Sequence, residues 1–218
     1  MTGEYCGSVF EFNGSAVPVR EDLRLAYIDL WSHLGAPGPT LTGSQRVQLG
    51  AHARAVREGD TPPWVGLPDS LLKLAATLFR NRAAVDGTMV RRTADEVGDP
   101  MTVETIAVVS MLAAVDGAHR GLGAELEPLP EPAAGNPTGE VAEGLKRRRT
   151  HTPMPPGAIP VALDLLPAVG KVFRTSYGPQ YMTETEMDFA NFRRDPGLDR
   201  AQIEIVSSRT SFLNECFY

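Results

Sequence analysis

Residues 102–123 read TVETIAVVSMLAAVDGAHRGLG, and this stretch decides the fold. A helix formed by it would be apolar on almost every side, with Glu104 and Ser110 among the few interruptions. Such a helix is buried either in a protein core or in a membrane. Its nearly continuous apolar part, residues 103–115, is shorter than the ~20 residues that a bilayer span requires. We therefore expect a central buried helix, capped by Thr102, in a domain made of helices.

Apolar residues at helical spacing predict several helices before this one. Thr42 and Gln45 have the spacing of a capping box, and Gly59 marks the end of the helix that they begin. Asp69 is placed to cap the next helix, and alternating strand patterns are nearly absent. The predicted fold class is therefore all-α, a helical bundle. Two more helices are expected at residues 20–34, closed by Gly35, and at 87–97.

The composition changes sharply after Glu127, where PLPEP, GNPTG and PMPPG follow one another. Proline at this density prevents helix formation and favours extended chain. Residues 128–158 are therefore predicted to form either a linker or an arm that wraps the preceding domain.

A second helical region is predicted beyond this Pro-rich segment. Helices are expected at residues 162–177 and 183–194, and Asp199 with Gln202 gives another capping signal for a third. The predicted organisation is an N-terminal segment (1–16), a helical domain (17–127), a Pro/Gly-rich linker (128–158) and the start of a second helical domain (159–218).

A weak internal repeat relates the two helical regions. Aligning Leu41 with Leu198 pairs Gln45 with Gln202, and each of these glutamines belongs to a capping signal. A predicted helix follows the signal in both copies. In this register Val47 and Gly59 stand where the second copy has Glu204 and Cys216. The first domain is therefore interpreted as a degenerate copy without the acid and the thiol.

Charge and cysteine content limit the classes of function. The net charge of −6 argues against a nucleic-acid-binding surface, and the basic run at residues 146–149 is interpreted as a solvated loop. Two cysteines cannot form a disulfide framework, and no secretory signal opens the chain. We expect a soluble cytoplasmic protein that does not enter the membrane.

The strongest chemical signal is Glu204, which precedes Cys216 by twelve residues. A turn at Asn214–Glu215 would allow a carboxylate on one helix to face the thiol that follows. Such a pair suits proton transfer, because the thiolate is the form that attacks a peroxide or a disulfide. The alternative is a surface carboxylate and a small buried cysteine that fills the core.

Further candidates come from the histidines and methionines. Asp116 and His119 are three residues apart and would form an acid–imidazole pair, or His119 would simply bind carbonyls of its own helix end. The other histidines, His33, His52 and His151, lack the spacing of a metal site. Three residues, Met182, Met187 and Phe189, are interpreted as core or interface packing.

The tail LDRAQIEIVSSRTSFLNECFY, residues 198–218, resembles the active-site segment of the alkylhydroperoxidase D-like (carboxymuconolactone decarboxylase-like) family. In that family a helix carries a Glu, a Leu-Asn-x turn follows, and a Cys-x-x-Cys precedes a His by four residues. Glu204 and Cys216 match the family's Glu and first Cys at its spacing. The segments WSHLGAPGPTLTGSQRV and AVVSMLAAVDGAHRGLGAELEPLPEP also resemble longer members, so the resemblance covers most of the chain.

The resemblance implies thiol-dependent peroxide reduction by an antioxidant peroxidase. The family's second cysteine would attack the peroxide, Cys216 would resolve the sulfenic acid as a disulfide, and Glu204 would shuttle the proton. The implied reductant is a lipoyl- or thioredoxin-like dithiol partner, with no metal or organic cofactor and with a homo-oligomeric assembly.

The sequence departs from the family pattern directly after Tyr218. The second cysteine and the histidine would both fall beyond this residue, so the chain is expected to be inactive alone. One explanation is a fragment, and another is a selenocysteine codon read as a stop; the nucleotide sequence past codon 218 would distinguish them.

Two other functions remain open at this stage. One is a non-redox decarboxylase-like enzyme of the same superfamily, which would not need the cysteine pair. The other is a non-catalytic helical scaffold that oligomerises through exposed apolar residues, namely Phe212, Leu213, Phe217 and Tyr218.

Overall fold

The computed structural model of the chain describes residues 10–157, 161–194 and 197–216. Within these ranges the fold is an all-α helical bundle without strands, as the sequence predicts, and only two isolated β-bridges occur. The helices are α1 (Glu21–Gly35), α2 (Gly43–Glu58), α3 (Asp69–Arg80), α4 (Gly87–Val97), α5 (Asp99–Leu122), α6 (Pro167–Gln180), α7 (Glu184–Met187) and α8 (Arg200–Leu213), with a short 3₁₀ helix at Arg82–Ala84.

Helix α5 is the centre of the bundle. It packs against α1, α2, α3 and α4, and Ala107, Val108 and Leu112 along it are fully buried. By length and composition alone α5 would also be able to cross a membrane, but 61 % of its most apolar window is buried inside the bundle. The prediction of a central buried helix is therefore confirmed.

Two predicted capping boxes are confirmed by side-chain hydrogen bonds, and one predicted helix end is confirmed by its backbone conformation. Thr42 and Gln45 form a reciprocal capping box at the start of α2, and Gly59 ends that helix with a left-handed backbone, φ 82°. Asp199 and Gln202 form the same box at the start of α8. Both caps satisfy amides that a helix leaves unpaired at its first turn.

Two predicted caps are wrong by a short distance. Asp69 is the first residue of α3 rather than its cap, because Pro68 precedes it and accepts the amides of the first turn. Thr102 lies inside α5, which begins at Asp99 with a proline in its first turn. The Thr102 hydroxyl donates to Gly98 O at 2.9 Å. Proline fits the first helical turn, because the N–H groups of that turn have no hydrogen-bond partner within the helix.

Residues 128–142 form an arm that wraps the bundle, which resolves the alternative left open by the sequence. Trp31 Nε1 donates to Pro128 O at 2.8 Å, and the amide of Ala133 donates to Gly35 O at 2.9 Å. A Cβ at Gly43 would lie 2.7 Å from Ala133 O, so the backbones meet where only glycine fits. The arm gains its order from these contacts rather than from regular secondary structure.

The second helical region packs against the first. Helix α6 lies on α1, and Leu166, Val169 and Val172 belong to the same apolar core as α5. This helix begins at Pro167, five residues later than predicted, with Leu166 as its cap. The division of the chain into two domains stays a prediction.

The predicted helix at residues 183–194 is wrong except for the single turn of α7. The guanidinium of Arg200 donates to the carbonyls of Met187 and Phe189, and Arg194 donates to Tyr181 O at 2.6 Å. These charge-assisted bonds to backbone hold the segment in an irregular path, and they outweigh a local helical preference.

A buried ion pair lies between α2 and α5. Glu104 is fully buried, and its Oε1 atom lies 3.5 Å from Nη1 of Arg46, which is 3 % exposed. The Oε2 atom of Glu104 accepts from Thr40 N at 2.6 Å, from Thr40 Oγ1 at 2.6 Å and from Leu41 N at 3.2 Å. The carboxylate therefore holds the α1–α2 loop on the core, and a Cβ at Gly38 would collide with it.

The buried side chain of Tyr27 makes the stability of the fold depend on pH in the alkaline range. Burial raises the pKa of this side chain from 10.0 to about 12. A raised pKa stabilises the fold below pH 10, and this contribution is lost as the pH rises from 10 to about 12, because the unfolded chain then gives up its proton first. We expect this one group to remove roughly 2–3 kcal/mol over that interval. The free energy of unfolding, measured with urea at pH 9 and at pH 11.5, should fall less between these pH values in Tyr27→Phe than in the natural protein. An equal fall in both proteins would contradict this role of Tyr27.

Candidate functional site

Cys216 follows the C-terminus of α8 in a defined helix-ending turn. Its amide donates to Ser211 O at 2.9 Å, and the amide of Glu215 donates to Phe212 O at 3.2 Å. These are the two bonds of a Schellman motif. Glu215 occupies the position at which this motif usually has a glycine, and its φ is 52°. The turn expected at Asn214–Glu215 is therefore confirmed, and it leaves the Cys216 side chain exposed as a free thiol.

Glu204 lies on the side of α8 that faces the rest of the protein. Its Oε2 accepts from the Tyr181 hydroxyl at 2.8 Å, and its Oε1 lies 3.5 Å from Nη2 of Arg200, one helical turn earlier. The side chain is partly exposed. A hydroxyl and a guanidinium therefore fix the orientation of the carboxylate.

The structure does not bring Glu204 and Cys216 into contact: Glu204 binds Tyr181 and Arg200, and the Cys216 amide binds Ser211. Ser211, whose carbonyl binds the Cys216 amide, is seven residues after Glu204 and on the same side of the helix. Two turns of helix correspond to about 10 Å along its axis. The carboxylate would therefore exchange protons with the thiol through solvent rather than by a direct hydrogen bond.

Two tyrosines connect Glu204 to a cavity. The rings of Tyr177 and Tyr181 meet edge to face, with centroids 5.4 Å apart. Burial, and then the hydrogen bond to the Glu204 carboxylate, raise the pKa of Tyr181; burial and the same negative charge raise the pKa of Tyr177. Both phenols therefore keep their protons at neutral pH, and Tyr181 remains a donor to Glu204.

The cavity next to Tyr177 has a volume of about 760 Å³. Its walls are α5, α6, the turn at residues 162–163 and the segment at 182–187. Cavities of this volume with mainly apolar walls are typical of small-molecule sites. The lining includes Ile106, Leu163, Phe173, Met182 and Met187, with Lys171, Arg174 and several threonines as polar groups.

Asp116 and His119 do not form the acid–imidazole pair that was one of the two predictions. Asp116 instead binds Arg54 through two hydrogen bonds, of 2.6 and 3.0 Å. The Nδ1 atom of His119 lies 2.8 Å from Val115 O in its own helix, and the ring stacks on Phe12 with centroids 4.1 Å apart. His119 therefore binds a carbonyl of its own helix, as the structural interpretation predicts, and the carboxylate beside its ring is Glu127, with Oε1 3.5 Å from Nε2, and not Asp116.

The remaining sequence candidates have local roles. His33 Nδ1 lies 2.9 Å from Asp29 O, and His151 Nδ1 lies 3.4 Å from Arg91. Among the residues that the structure describes, no group of three or more His, Cys, Asp or Glu side chains has the geometry to hold a metal ion. Met182 is fully buried and Met187 partly so, both at the cavity, whereas Phe189 is exposed. Cys6 lies outside the described residues.

The sequence does not indicate the partners of Glu204 or the presence of the cavity. Arg200 was available as a residue four positions earlier on the same helix, which is the spacing of an ion pair. Tyr181 is 23 residues away, and no local pattern connects it to Glu204. The cavity is lined by residues of α5, α6 and the segment at 182–187, which only the folded chain brings together.

Comparisons with known proteins do not assign the chain to a family. No family model matches the chain, and neither a curated protein nor a solved structure matches it. The site is therefore interpreted from its own geometry and from the resemblance of the tail.

Proposed function

We propose that the protein reduces peroxides through Cys216, with a dithiol partner as the source of electrons. The observation that carries the proposal is the exposed free thiol of Cys216, held by the turn that ends α8, the helix that also carries the oriented carboxylate of Glu204. Exposure allows both a peroxide and a bulky reductant to reach the sulfur. Exposure is one of the properties that distinguish a reactive from a structural cysteine.

The first step forms a sulfenic acid. The Cys216 thiolate attacks one peroxide oxygen, the O–O bond breaks, and the departing alkoxide takes a proton to leave as an alcohol or as water. Glu204 supplies that proton through solvent, having received it from the thiol. Sulfur is oxidised and the peroxide is reduced, so electrons balance.

The second step restores the thiol. A lipoyl- or thioredoxin-like dithiol attacks the sulfenic acid and releases water, and its second thiol then displaces Cys216 to leave the partner as a disulfide. The cycle written in this way uses one cysteine of this chain, and it therefore departs from the family pattern, under which this chain alone would be inactive. Where a second redox residue follows Cys216, as in the family that the tail resembles, Cys216 takes the resolving role instead.

The role of Glu204 is tested by Glu204→Gln in a peroxide-consumption assay with dihydrolipoamide. We expect the rate to fall about tenfold, less than the ~10²–10⁴ lost with a contacting acid or base, because the carboxylate acts through solvent. Glu143→Gln, an exposed carboxylate on the arm, is the matched control. An unchanged rate in Glu204→Gln would remove Glu204 from the mechanism.

A specific observation also favours the scaffold function. The outer side of α8 exposes Ile205, Val206, Phe212 and Leu213, each by 57 % or more. An antiparallel second copy of α8 centred on Arg209 would place Ile205 opposite Leu213 and Val206 opposite Phe212. This self-complementary spacing is what a two-fold symmetric interface requires. We therefore propose that two chains associate through α8.

Sedimentation at micromolar concentration tests this association. We expect a dimer for the natural chain and a monomer for Val206→Lys, because a second cation would then be buried beside Arg209 at the centre of the interface. Ser208→Lys, which adds the same charge outside the apolar face of α8, should remain dimeric. A monomeric natural chain would contradict the proposal.

A further inference from the structure

The cavity between α5 and α6 carries an inference that goes beyond peroxide reduction. Its lining combines aliphatic, aromatic and methionine side chains from four separate segments, among them Ile106, Leu163, Phe173 and Met182. Most of its lining residues are partly or fully exposed, so the cavity is a cleft of about 760 Å³ that is open to solvent. A space of this volume is suited to an apolar ligand.

The charges at the cavity are of one sign. Lys171 and Arg174, both on α6, are among its lining residues, and no Asp or Glu lines it within the described part of the chain. Arg174 is paired with Asp164 at 2.5 Å, whereas Lys171 is exposed to solvent on α6. The chain as a whole has a net charge of −6, so this local positive charge is contrary to the average surface. It favours an anionic ligand group at the mouth of the cavity.

Hydroxyl groups add hydrogen-bonding capacity next to these cations. Thr183 lines the cavity together with Tyr177, whose raised pKa keeps its phenol protonated, whereas the Thr175 hydroxyl donates to Val172 O at 2.9 Å in its own helix. A lysine ammonium and hydroxyl donors are suited to a carboxylate. The methionines Met182 and Met187 are flexible and can adapt to an alkyl chain of variable length.

We propose that this cavity binds the alkyl chain of a fatty carboxylate, with the carboxylate group at Lys171. The apolar lining excludes a highly polar ligand, and the positive mouth selects an anion over a neutral or cationic amphiphile. The site is separate from Cys216, and binding does not depend on the peroxide chemistry.

Calorimetric titration of the full chain with decanoate tests the proposal, with decanol and decyltrimethylammonium as comparison ligands below their self-association concentrations. We expect saturable binding of decanoate, weaker binding of decanol and no binding of the cation. Lys171→Gln should weaken decanoate binding about tenfold, the loss typical of one charge-assisted hydrogen bond, and leave decanol unchanged. Lys73→Gln, on the exposed side of α3, should bind like the natural chain.

A second variant tests the cavity itself. Met187→Trp adds bulk at its partly exposed rim and should reduce the binding of decanoate and of decanol alike, with an unchanged circular dichroism spectrum as evidence that the chain folds. Equal binding of decanoate by natural, Lys171→Gln and Met187→Trp proteins would overturn the proposal. Absence of decanoate binding to the natural chain, or equal affinity for all three amphiphiles, would overturn it as well.

Discussion

Glu104→Gln is expected to destabilise the fold by about 3–5 kcal/mol, because it leaves the buried guanidinium of Arg46 without its counter-charge. Both side chains are buried, and burial lowers the pKa of Arg46 while the nearby Glu104 carboxylate opposes that shift. The carboxylate also accepts three hydrogen bonds that hold the α1–α2 loop. Urea unfolding at neutral pH measures the loss.

Two further variants separate the ion pair from general damage. Glu96→Gln makes the same chemical change at an exposed position of α4 and should alter the free energy of unfolding by less than about 0.5 kcal/mol. The double variant Glu104→Gln/Arg46→Met removes both charges, and we expect it to be more stable than Glu104→Gln alone. A double variant less stable than the single one would show that the carboxylate acts through its loop hydrogen bonds and not through Arg46.

Cys216→Ser is expected to reduce dithiol-dependent peroxide consumption to the rate without protein. Serine has nearly the same shape as cysteine, but its hydroxyl does not ionise at neutral pH and does not form a sulfenic acid. The helix-ending turn is made of backbone hydrogen bonds, so its geometry should be kept. The measurement is peroxide loss with dihydrolipoamide in excess.

Cys6→Ser is the matched control for this variant, since Cys6 is the other cysteine of the chain. It should consume peroxide at the natural rate. Activity that survives in Cys216→Ser and disappears in Cys6→Ser would place the chemistry at the N-terminal cysteine and contradict the proposed function.

The helices of this fold were predictable where their signals are local. The apolar pattern of α5 and the capping boxes at Thr42 and Asp199 depend on residues within one or two turns, and the structure contains all of them. The Asp69 cap was wrong by one residue, because Pro68 has a backbone that can begin a helix by itself.

The site was predictable only in part, because its geometry depends on distant residues. The sequence identified Glu204, Cys216 and the turn between them, all within a short segment. It gave no sign that Tyr181 binds Glu204, or that the arginines Arg194 and Arg200 bind backbone carbonyls in place of a helix at 188–194. Such contacts are selected by tertiary packing, which local propensity does not describe.

Trapping of the sulfenic acid tests the central claim most directly. The full chain is exposed to one equivalent of hydrogen peroxide in the presence of dimedone, which reacts with sulfenic acids, and the modified residue is located by peptide mass spectrometry. Our account predicts one adduct on Cys216, formed more slowly in Glu204→Gln. An adduct confined to Cys6, or no adduct on Cys216 while peroxide is consumed, would contradict it.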